Sequence, residues 1–242
     1  MRRTEGRRAR GGVRPKGLGA LFLAGVTLLA GLALGACGGT GSSSSASQDV
    51  VASQVGGPPQ TSSELPGALL FPRSYAKPTT TLQDTSGAPY DIATATKGQL
   101  TLVYFGYTHC PDLCPLNMET AATALSLLPQ SEQRQVTVVF VTTDPLRDTA
   151  SVIRVWLDHF DPSFVGLTGT VDQIRQSESQ AGIPLSFAER ASGVGTSYAV
   201  VHAGYVVVYT KDGRAHVEFP AEITPSQEAQ DLKTLLAHVW PE

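Results

Sequence analysis

The chain has 242 residues, 41% of them hydrophobic and 16% charged, which is typical of a globular protein with one core and some extensions. Seven of the 18 basic residues and one of the 21 acidic residues lie in the first sixteen positions, so the rest of the chain has 11 basic and 20 acidic residues and a net charge of −9. This acidic excess disfavours nucleic acid as a partner, and three cysteines are too few for a disulfide framework.

The first 36 residues resemble a bacterial lipoprotein signal peptide. A basic start is followed by an uncharged stretch of Leu, Ala, Val and Gly that ends in Leu-Gly-Ala before Cys37. A transmembrane anchor is the alternative, since about 20 apolar residues can span a bilayer. The small residues before Cys37 and the Gly- and Ser-rich run after it favour cleavage and lipid attachment at this cysteine. We therefore expect a protein that is lipid-anchored at the extracytoplasmic face of the cell membrane.

The signal is followed by a linker. Residues 37–66 are mostly Ser, Gly, Gln and Pro, a composition that buries too little apolar surface to fold. The sequence therefore predicts three parts, namely a signal peptide over 1–36, a flexible linker over 37–66 and a folded domain over 67–242.

Within the domain, short apolar runs alternate with helical patterns. In chain order we predict two short strands in 81–92, a buried strand over 102–105, a helix that starts at Pro115, a strand over 135–142, a helix capped by Asp148 or Thr149, a strand over 165–167, a helix over 171–181, two strands in 198–209 with a break at 202–204, a tight turn at 211–213 and a last helix from Thr224 to Val239. This alternation predicts an α/β sheet with helices on both faces.

Cys110 and Cys114 follow the predicted central strand at its carboxyl end, where ligands bind in open α/β sheets. Three uses of the pair compete: metal ligation, reversible disulfide exchange and inert packing. Packing fits least, because Pro111 and Asp112 make the loop polar. A redox dithiol usually has two residues between its cysteines, whereas this pair has three. Two soft thiolates suit Cu(I), zinc or an iron–sulfur cluster and need a further ligand from elsewhere.

Five histidines could supply that ligand. His202 is the best candidate, because it interrupts a predicted pair of strands and the loop there can lie beside the thiol loop. His109 is next to Cys110 but would have to point along the same strand end. The remaining three, at positions 159, 216 and 238, are better explained as surface or packing residues.

The segment from Asp144 to Thr149 is a second loop at the carboxyl end of a strand. One interpretation is a helix cap with an internal Asp/Arg pair, which contributes little if it is exposed. The other is a carboxylate close to the thiol loop that tunes a metal or receives the basic surface of a partner. The residues alone leave both open.

Together these motifs resemble the Sco/SenC family of copper-binding thioredoxin-like proteins. The resemblance covers the chain from about residue 65 to its end. It rests on Tyr-Phe-Gly-Tyr-Thr-His-Cys-Pro-Asp-Leu-Cys-Pro at 104–115, Thr-Asp-Pro-Leu-Arg-Asp-Thr at 143–149, Phe-Asp-Pro-Ser-Phe-Val-Gly-Leu-Thr-Gly at 160–169 and the late histidine at 202. It implies a thioredoxin-like fold with a central mixed sheet flanked by helices and an N-terminal β-hairpin extension.

The same resemblance implies a function and a set of site residues. The protein would be a copper metallochaperone that helps to assemble the dinuclear copper centre of cytochrome c oxidase subunit II, with a thiol reductant or a copper donor protein as a further partner. Cys110, Cys114 and His202 would bind Cu(I), and also Cu(II) with added ligands, while Asp144 would support the site without binding the metal. One departure is that Val201 and Ala203 replace the polar neighbours that this histidine usually has in the family.

Two enzymatic alternatives stay open at this point. A membrane-anchored thiol–disulfide oxidoreductase would use Cys110 and Cys114 as a redox disulfide to reduce the cysteines of the copper acceptor. A peroxidase-like enzyme would need one activated thiolate beside a cation, for which Arg147 is the nearby candidate. The paired cysteines argue against the peroxidase.

Overall fold

Strands and helices alternate along the part of the chain that the structure, a computed structural model, describes: residues 60–190 and 198–238. The strands are β1 (Gln60–Ser62), β2 (Leu65–Ala76), β3 (Leu82–Asp84), β4 (Pro89–Tyr90), β5 (Leu100–Gly106), β6 (Val136–Thr142), β7 (Val165–Thr168), β8 (Phe187–Arg190), β9 (Tyr198–Val201), β10 (Val206–Tyr209) and β11 (Arg214–Phe219). The helices are α1 (Ile92–Ala95), α2 (Leu113–Ser126), α3 (Gln130–Gln133), α4 (Ala150–Leu157), α5 (Val171–Ala181) and α6 (Pro225–Ala237). The predicted signal peptide and Cys37 lie outside the described residues.

Nine of these strands form one mixed sheet in the order β1-β2-β11-β10-β5-β6-β7-β3-β4. The pairs β5–β6 and β6–β7 are parallel, and the other neighbours are antiparallel. Strands β8 and β9 form a separate antiparallel pair. The mixed sheet agrees with the predicted fold class, and the two short strands predicted in 81–92 are the antiparallel pair β3 and β4 at one edge. The hairpin of β1 and β2 forms the other edge, and β1 lies within the segment predicted to be a linker.

The central strand β5 is buried at all seven positions, because helices cover both faces of the sheet. Leu102 and Tyr104 belong to one hydrophobic cluster, with residues of α2, α4 and α6. Val103 and Phe105 belong to the other cluster, with residues of α1 and α5. Alternate side chains of a strand point to opposite faces, so a nearly continuous apolar run is what a doubly covered strand requires.

Helix α2 starts earlier than predicted. Its first residue is Leu113 rather than Pro115, and the N-cap residue Asp112 makes no side-chain capping bond. The proline is tolerated at the third position of the helix because the first backbone N–H groups of a helix have no partner within the helix. Cys114 consequently lies in the first helical turn instead of in the preceding loop.

Several other elements differ from the sequence-based prediction. Strands β8 and β11 and the full length of β2 were not predicted. Helix α4 ends at Leu157, so His159 lies just after it, and His216 lies in β11. Helix α6 ends at Ala237, and Val239 lies outside the described residues. The predicted boundary between linker and domain, at residues 66 and 67, falls within β2.

Candidate metal centre

The two cysteines and His202 meet at the carboxyl end of β5. Their sulfur and nitrogen atoms all lie within 4.8 Å of one another, and no other group of three or more metal-ligating side chains is found in the described residues. The Sγ atom of Cys114 is 3.5 Å from Nε2 of His202. Cys114 is fully buried, whereas Cys110 and His202 are partly exposed. A cation held here would therefore be reached from the side of Cys110 and His202.

The thiol side of the site is built from one continuous stretch of chain. The N–H of Cys114 donates to Sγ of Cys110 over 3.4 Å, as the first turn of α2 brings the two residues together. The N–H of Tyr107 and the hydroxyl of Tyr104 donate to Sγ of Cys114 over 3.5 and 3.6 Å. At Gly106 a Cβ atom would lie 2.6 Å from the Tyr104 ring and 2.9 Å from the Cys114 sulfur, so only glycine fits there.

The pKa values of the two thiols are shifted in opposite directions. Hydrogen bonding from Cys114, together with contact with His202, lowers the pKa of Cys110 to about 3 against its burial. Burial raises the pKa of Cys114, and the neighbouring Cys110 thiolate raises it further. Two adjacent thiols in a site of limited exposure thus hold one negative charge between them, carried by Cys110.

The imidazole of His202 is oriented by its own chain. Its Nδ1 lies 2.9 Å from the carbonyl oxygen of Ala203, which can only accept a hydrogen bond. Nδ1 therefore carries a proton, and Nε2, the atom that faces Cys114, is the nitrogen placed to bind a metal. The ring also stands edge-on to Tyr104 and Tyr107, with centroid distances of 5.9 and 5.6 Å. The backbone carbonyl of Ala203 thus orients the imidazole, a role that a polar neighbouring side chain would otherwise have.

Asp144 is connected to the histidine side of the site by its contacts with the first residue of β9. This carboxylate is buried, accepts a 2.7 Å hydrogen bond from the hydroxyl of Tyr198 and pairs with Arg147. Arg147 in turn donates to the carbonyl of Tyr198 over 3.1 Å and lies 3.7 Å above its ring. Tyr198 begins the strand that leads to His202. We call Asp144, Arg147 and Tyr198 the β9 clamp.

Asp148 is the second buried carboxylate of the same loop. It accepts hydrogen bonds from the N–H and the hydroxyl of Thr108 over 2.9 and 2.6 Å, and from the hydroxyl of Thr142 over 2.7 Å. Asp148 therefore ties the loop before Cys110 to the end of β6. The cap of α4 is Thr149, as one of the two predicted alternatives has it.

The remaining predicted candidates lie outside the cluster. The ring of His109 is half-exposed, and its Nδ1 lies 3.1 Å from the Thr108 hydroxyl and 3.5 Å from Asp148. His159 contacts the carbonyl of Trp156, and His216 pairs with Asp212. Arg147, the cation considered for a peroxidase, is engaged in the β9 clamp. Of the predicted ligands, the structure thus brings together Cys110, Cys114 and His202.

Sequence reasoning missed three side chains that shape the site. Tyr104 was read only as part of a buried strand, and Asp148 only as a helix cap. Asn117 was not considered, although it donates to the carbonyls of Leu113 and Gly204 over 2.8 and 3.4 Å and so connects α2 to the loop after His202. A signal was present for Asn117, a polar residue on the buried face of α2 one turn after Cys114.

This arrangement supports two kinds of chemistry. Two sulfurs and one imidazole nitrogen form a soft donor set of three, which suits Cu(I) and leaves a coordination position open. The same two sulfurs, both free thiols here, are close enough for reversible disulfide chemistry.

In the described part of the chain, no helix has the length and apolar character needed to cross a bilayer.

Known proteins share this arrangement of the chain. A family model described as SCO1/SenC matches residues 74–237. A Stutzerimonas stutzeri protein named for copper binding is 32% identical over 157 residues, which are 64% of this chain and 75% of that protein. Bradyrhizobium japonicum ScoI with copper bound is 30% identical, with a TM-score of 0.58 over 67% of this chain and 99% of that chain.

A more distant structure agrees at the level of the fold. BsSco, at 18% identity and a TM-score of 0.52, covers 67% of this chain and is itself covered to 94%. It is described as a member of the Sco family of cytochrome c oxidase assembly proteins in which a disulfide switch was identified.

Proposed function

This chain belongs to the SCO1/SenC family, and we propose that it is a copper metallochaperone. In this proposal Cys110, Cys114 and His202 bind Cu(I), and the protein passes the ion to the dinuclear copper centre of cytochrome c oxidase subunit II. The observation that carries the proposal is the convergence of two sulfurs and one imidazole nitrogen within 4.8 Å, across 88 residues of sequence between Cys114 and His202.

The donor set suits delivery as well as uptake. Thiolate and imidazole ligands hold Cu(I) firmly, and three ligands leave room for an incoming donor, so the ion can move from one protein to the other without being released. Because Cys114 is fully buried, the incoming ligand would approach beside Cys110 and His202. Cys114 would then be the last ligand to dissociate from the ion.

Location is part of the proposal. A lipid on Cys37 would hold the protein at the extracytoplasmic face of the cell membrane, and the linker that follows would give the domain the reach to meet a membrane-bound acceptor. The C37S variant tests this, since it should leave the membrane fraction and lose the lipid mass in intact-protein mass spectrometry. Retention of both the lipid and the membrane location would remove Cys37 as the anchor point.

Copper binding is tested with full-length protein in detergent, titrated with Cu(I) in competition with a chromogenic chelator. We expect one Cu(I) per wild-type chain, and a loss of at least a hundredfold in affinity when Cys110 and Cys114 are both replaced by Ser. His202→Ala removes a ligand and should weaken binding by at least about tenfold to a hundredfold, the loss that changing only a hydrogen-bond partner of a ligand typically causes. His109→Ala is the matched control, because this histidine adjoins Cys110 but lies outside the cluster. Equal losses in both histidine variants would contradict the assignment.

A second function is favoured by the asymmetry of the two thiols. The low pKa of Cys110, about 3, makes it a ready nucleophile, whereas Cys114 is buried beside it as a resolving thiol would be. A membrane-anchored thiol–disulfide oxidoreductase that reduces the cysteines of the copper acceptor would use this pair. The two functions separate at His202, which metal binding needs and disulfide exchange does not. If His202→Ala protein loses copper but still reduces an acceptor disulfide, the wild-type protein has both activities.

A further inference from the structure

The sulfur of Cys114 is the most enclosed of the three proposed ligand atoms. It has no exposed surface and is surrounded by the Tyr107 N–H at 3.5 Å, the Tyr104 hydroxyl at 3.6 Å and Nε2 of His202 at 3.5 Å. A thiolate in such a place costs free energy unless hydrogen-bond donors replace the lost water. One of the two donors is a backbone group that any residue would supply, but the other depends on the side chain of Tyr104.

The direction of the tyrosine hydrogen bond follows from its geometry and from the chemistry of the sulfur. Tyr104 is itself completely buried, and its hydroxyl donates to Sγ of Cys114 over 3.6 Å. A thiolate sulfur that binds a metal has no proton to donate, so in the copper-bound site the phenol is the donor and the sulfur the acceptor. The hydrogen bond of Tyr104 thus ends on a proposed metal ligand.

Resting on the proposed copper function, we infer that Tyr104 is a positioning residue that donates a hydrogen bond to the metal-bound sulfur of Cys114 and thereby favours Cu(I) over Cu(II). A hydrogen bond to a thiolate withdraws electron density from sulfur. Cu(II) depends more on strong donation from sulfur than Cu(I) does, so the donor stabilises the reduced ion relative to the oxidised one. Hydrogen bonding around a cysteine sulfur is a recognised means of setting the potential of copper and iron–sulfur sites.

The test uses Tyr104→Phe, which removes the hydroxyl and keeps the ring that packs against His202. A hydrogen bond to a charged group is stronger than one between neutral groups, and a 3.6 Å contact to sulfur lies at the weak end of that class, so a change of about tenfold is expected. The ratio of Cu(I) to Cu(II) affinity should fall by about tenfold, which for one electron corresponds to about 59 mV in potential. The sulfur-to-Cu(II) charge-transfer band should move to longer wavelength.

The matched control is Tyr209→Phe. Tyr209 is another fully buried tyrosine of the same sheet, but it pairs with Thr101 towards the opposite end of β5, and its hydroxyl has no hydrogen-bond partner among the described residues. Loss of that hydroxyl should leave the charge-transfer band in place and the affinity ratio within twofold of the wild type. Both variants are measured as full-length protein. One sample is loaded with Cu(II) chloride for the charge-transfer band, and affinities for Cu(II) and Cu(I) are measured on separate samples.

The outcomes separate this inference from the function on which it rests. If wild-type protein binds copper and Tyr104→Phe keeps the wild-type band and potential, the role of Tyr104 is wrong and the chaperone proposal stands. If the wild-type protein binds no copper, both fall. A shift of similar size in Tyr209→Phe would also overturn the inference, because the change would then not depend on contact with the sulfur.

Discussion

The thiol side and the histidine side of the site are built in different ways. Cys110 and Cys114 are placed by one unbroken stretch, in which the end of β5, the glycine at 106 and the first turn of α2 follow each other directly. His202 arrives from β9, which pairs with β8 outside the main sheet and is held by the β9 clamp. The first side is therefore determined locally, and the second depends on tertiary contacts.

This difference predicts how each side fails. A change on the thiol side has to displace packed core atoms and should therefore cost stability and copper binding together. A change in the β9 clamp should instead loosen the imidazole while the two sulfurs stay in place. Variants of each kind, with controls that have no contact with the site, test the comparison.

Gly106→Ala should have the largest effect. The new Cβ would lie 2.6 Å from the Tyr104 ring and 2.9 Å from the Cys114 sulfur, and both side chains are fully buried. Overpacking of this kind typically costs 1–3 kcal/mol, and we expect about 3 kcal/mol in the free energy of unfolding, measured with urea. Copper stoichiometry should fall in the same variant.

Gly204→Ala is the counterpart on the histidine side. A Cβ at position 204 would meet only the end of the flexible Leu113 side chain, at 3.2 Å. We expect a loss of less than about 1 kcal/mol, because such a side chain can move aside. If both alanine variants were equally stable, the tight packing ascribed to the thiol side would be incorrect.

Asp144→Asn should have the next largest effect. The substitution removes the charge that pairs with Arg147, whose side chain is only partly exposed, and keeps an oxygen for the Tyr198 hydroxyl. Leaving a buried charge without its partner costs roughly 3–5 kcal/mol, and partial exposure of the arginine reduces our expectation to about 2 kcal/mol. X-ray absorption of the Cu(I) form should show two sulfur ligands and a weakened nitrogen contribution.

The control for that variant is Asp158→Asn, which removes an exposed ion pair with Arg154 at the end of α4. Exposed pairs contribute about 0–1 kcal/mol, so little change is expected in either stability or copper ligation. Loss of sulfur ligands in Asp144→Asn would show that the two sides of the site are not independent.

A third prediction concerns a region remote from both sides. Burial, and then the nearby Asp231, raise the pKa of Glu228 on α6 to about 8. A carboxyl with a raised pKa in the folded protein stabilises it while protonated, so stability should fall as the pH rises from about 4.5 to about 8, by at most about 1.4 kcal/mol per pH unit. That slope allows at most about 3.5 kcal/mol at pH 7, of which Glu228→Gln should recover about 1 kcal/mol while removing the slope, because the amide is still a buried polar group.

Urea unfolding at several pH values measures the effect of Glu228→Gln, and copper affinity measured beside it should not change. That pairing separates global stability from site geometry. An unaltered pH dependence in the variant would mean that another group, such as Asp231, binds the proton.

The thiol side could be predicted from the sequence more fully than the histidine side, because it is determined locally whereas the histidine side depends on tertiary contacts. The apolar run of β5, its glycine and the two cysteines are adjacent in sequence, so their arrangement follows from local rules. Even there the start of α2 was misplaced by two residues, because the proline was assigned to the first helical position when it occupies the third. Local patterns predict that an element exists better than where it begins.

His202 could be chosen as a ligand from its position in a break between strands, but its orientation could not be predicted. Val201 and Ala203 replace the polar neighbours that this histidine usually has in the family, and the sequence could not show that the carbonyl of Ala203 supplies the acceptor instead. The β9 clamp was equally out of reach, since it joins Asp144 to Tyr198 across 54 residues. Strand β8, which pairs with β9, was also not predicted, so the support that this pairing gives to the histidine side was missed.

The smallest predicted effect is that of Tyr198→Phe, which tests the β9 clamp most finely. The substitution removes the 2.7 Å hydrogen bond to Asp144 but keeps the ring beneath Arg147 and the backbone carbonyl that the arginine also contacts. We expect a loss of about 1 kcal/mol in unfolding free energy and a slight weakening of Cu(I) binding. Because Asp144 and Tyr198 act on one strand, the double variant with Asp144→Asn should lose less than the sum of the two single losses. Additive losses would mean that the carboxylate and the phenol support His202 independently, so that the clamp is not a single unit.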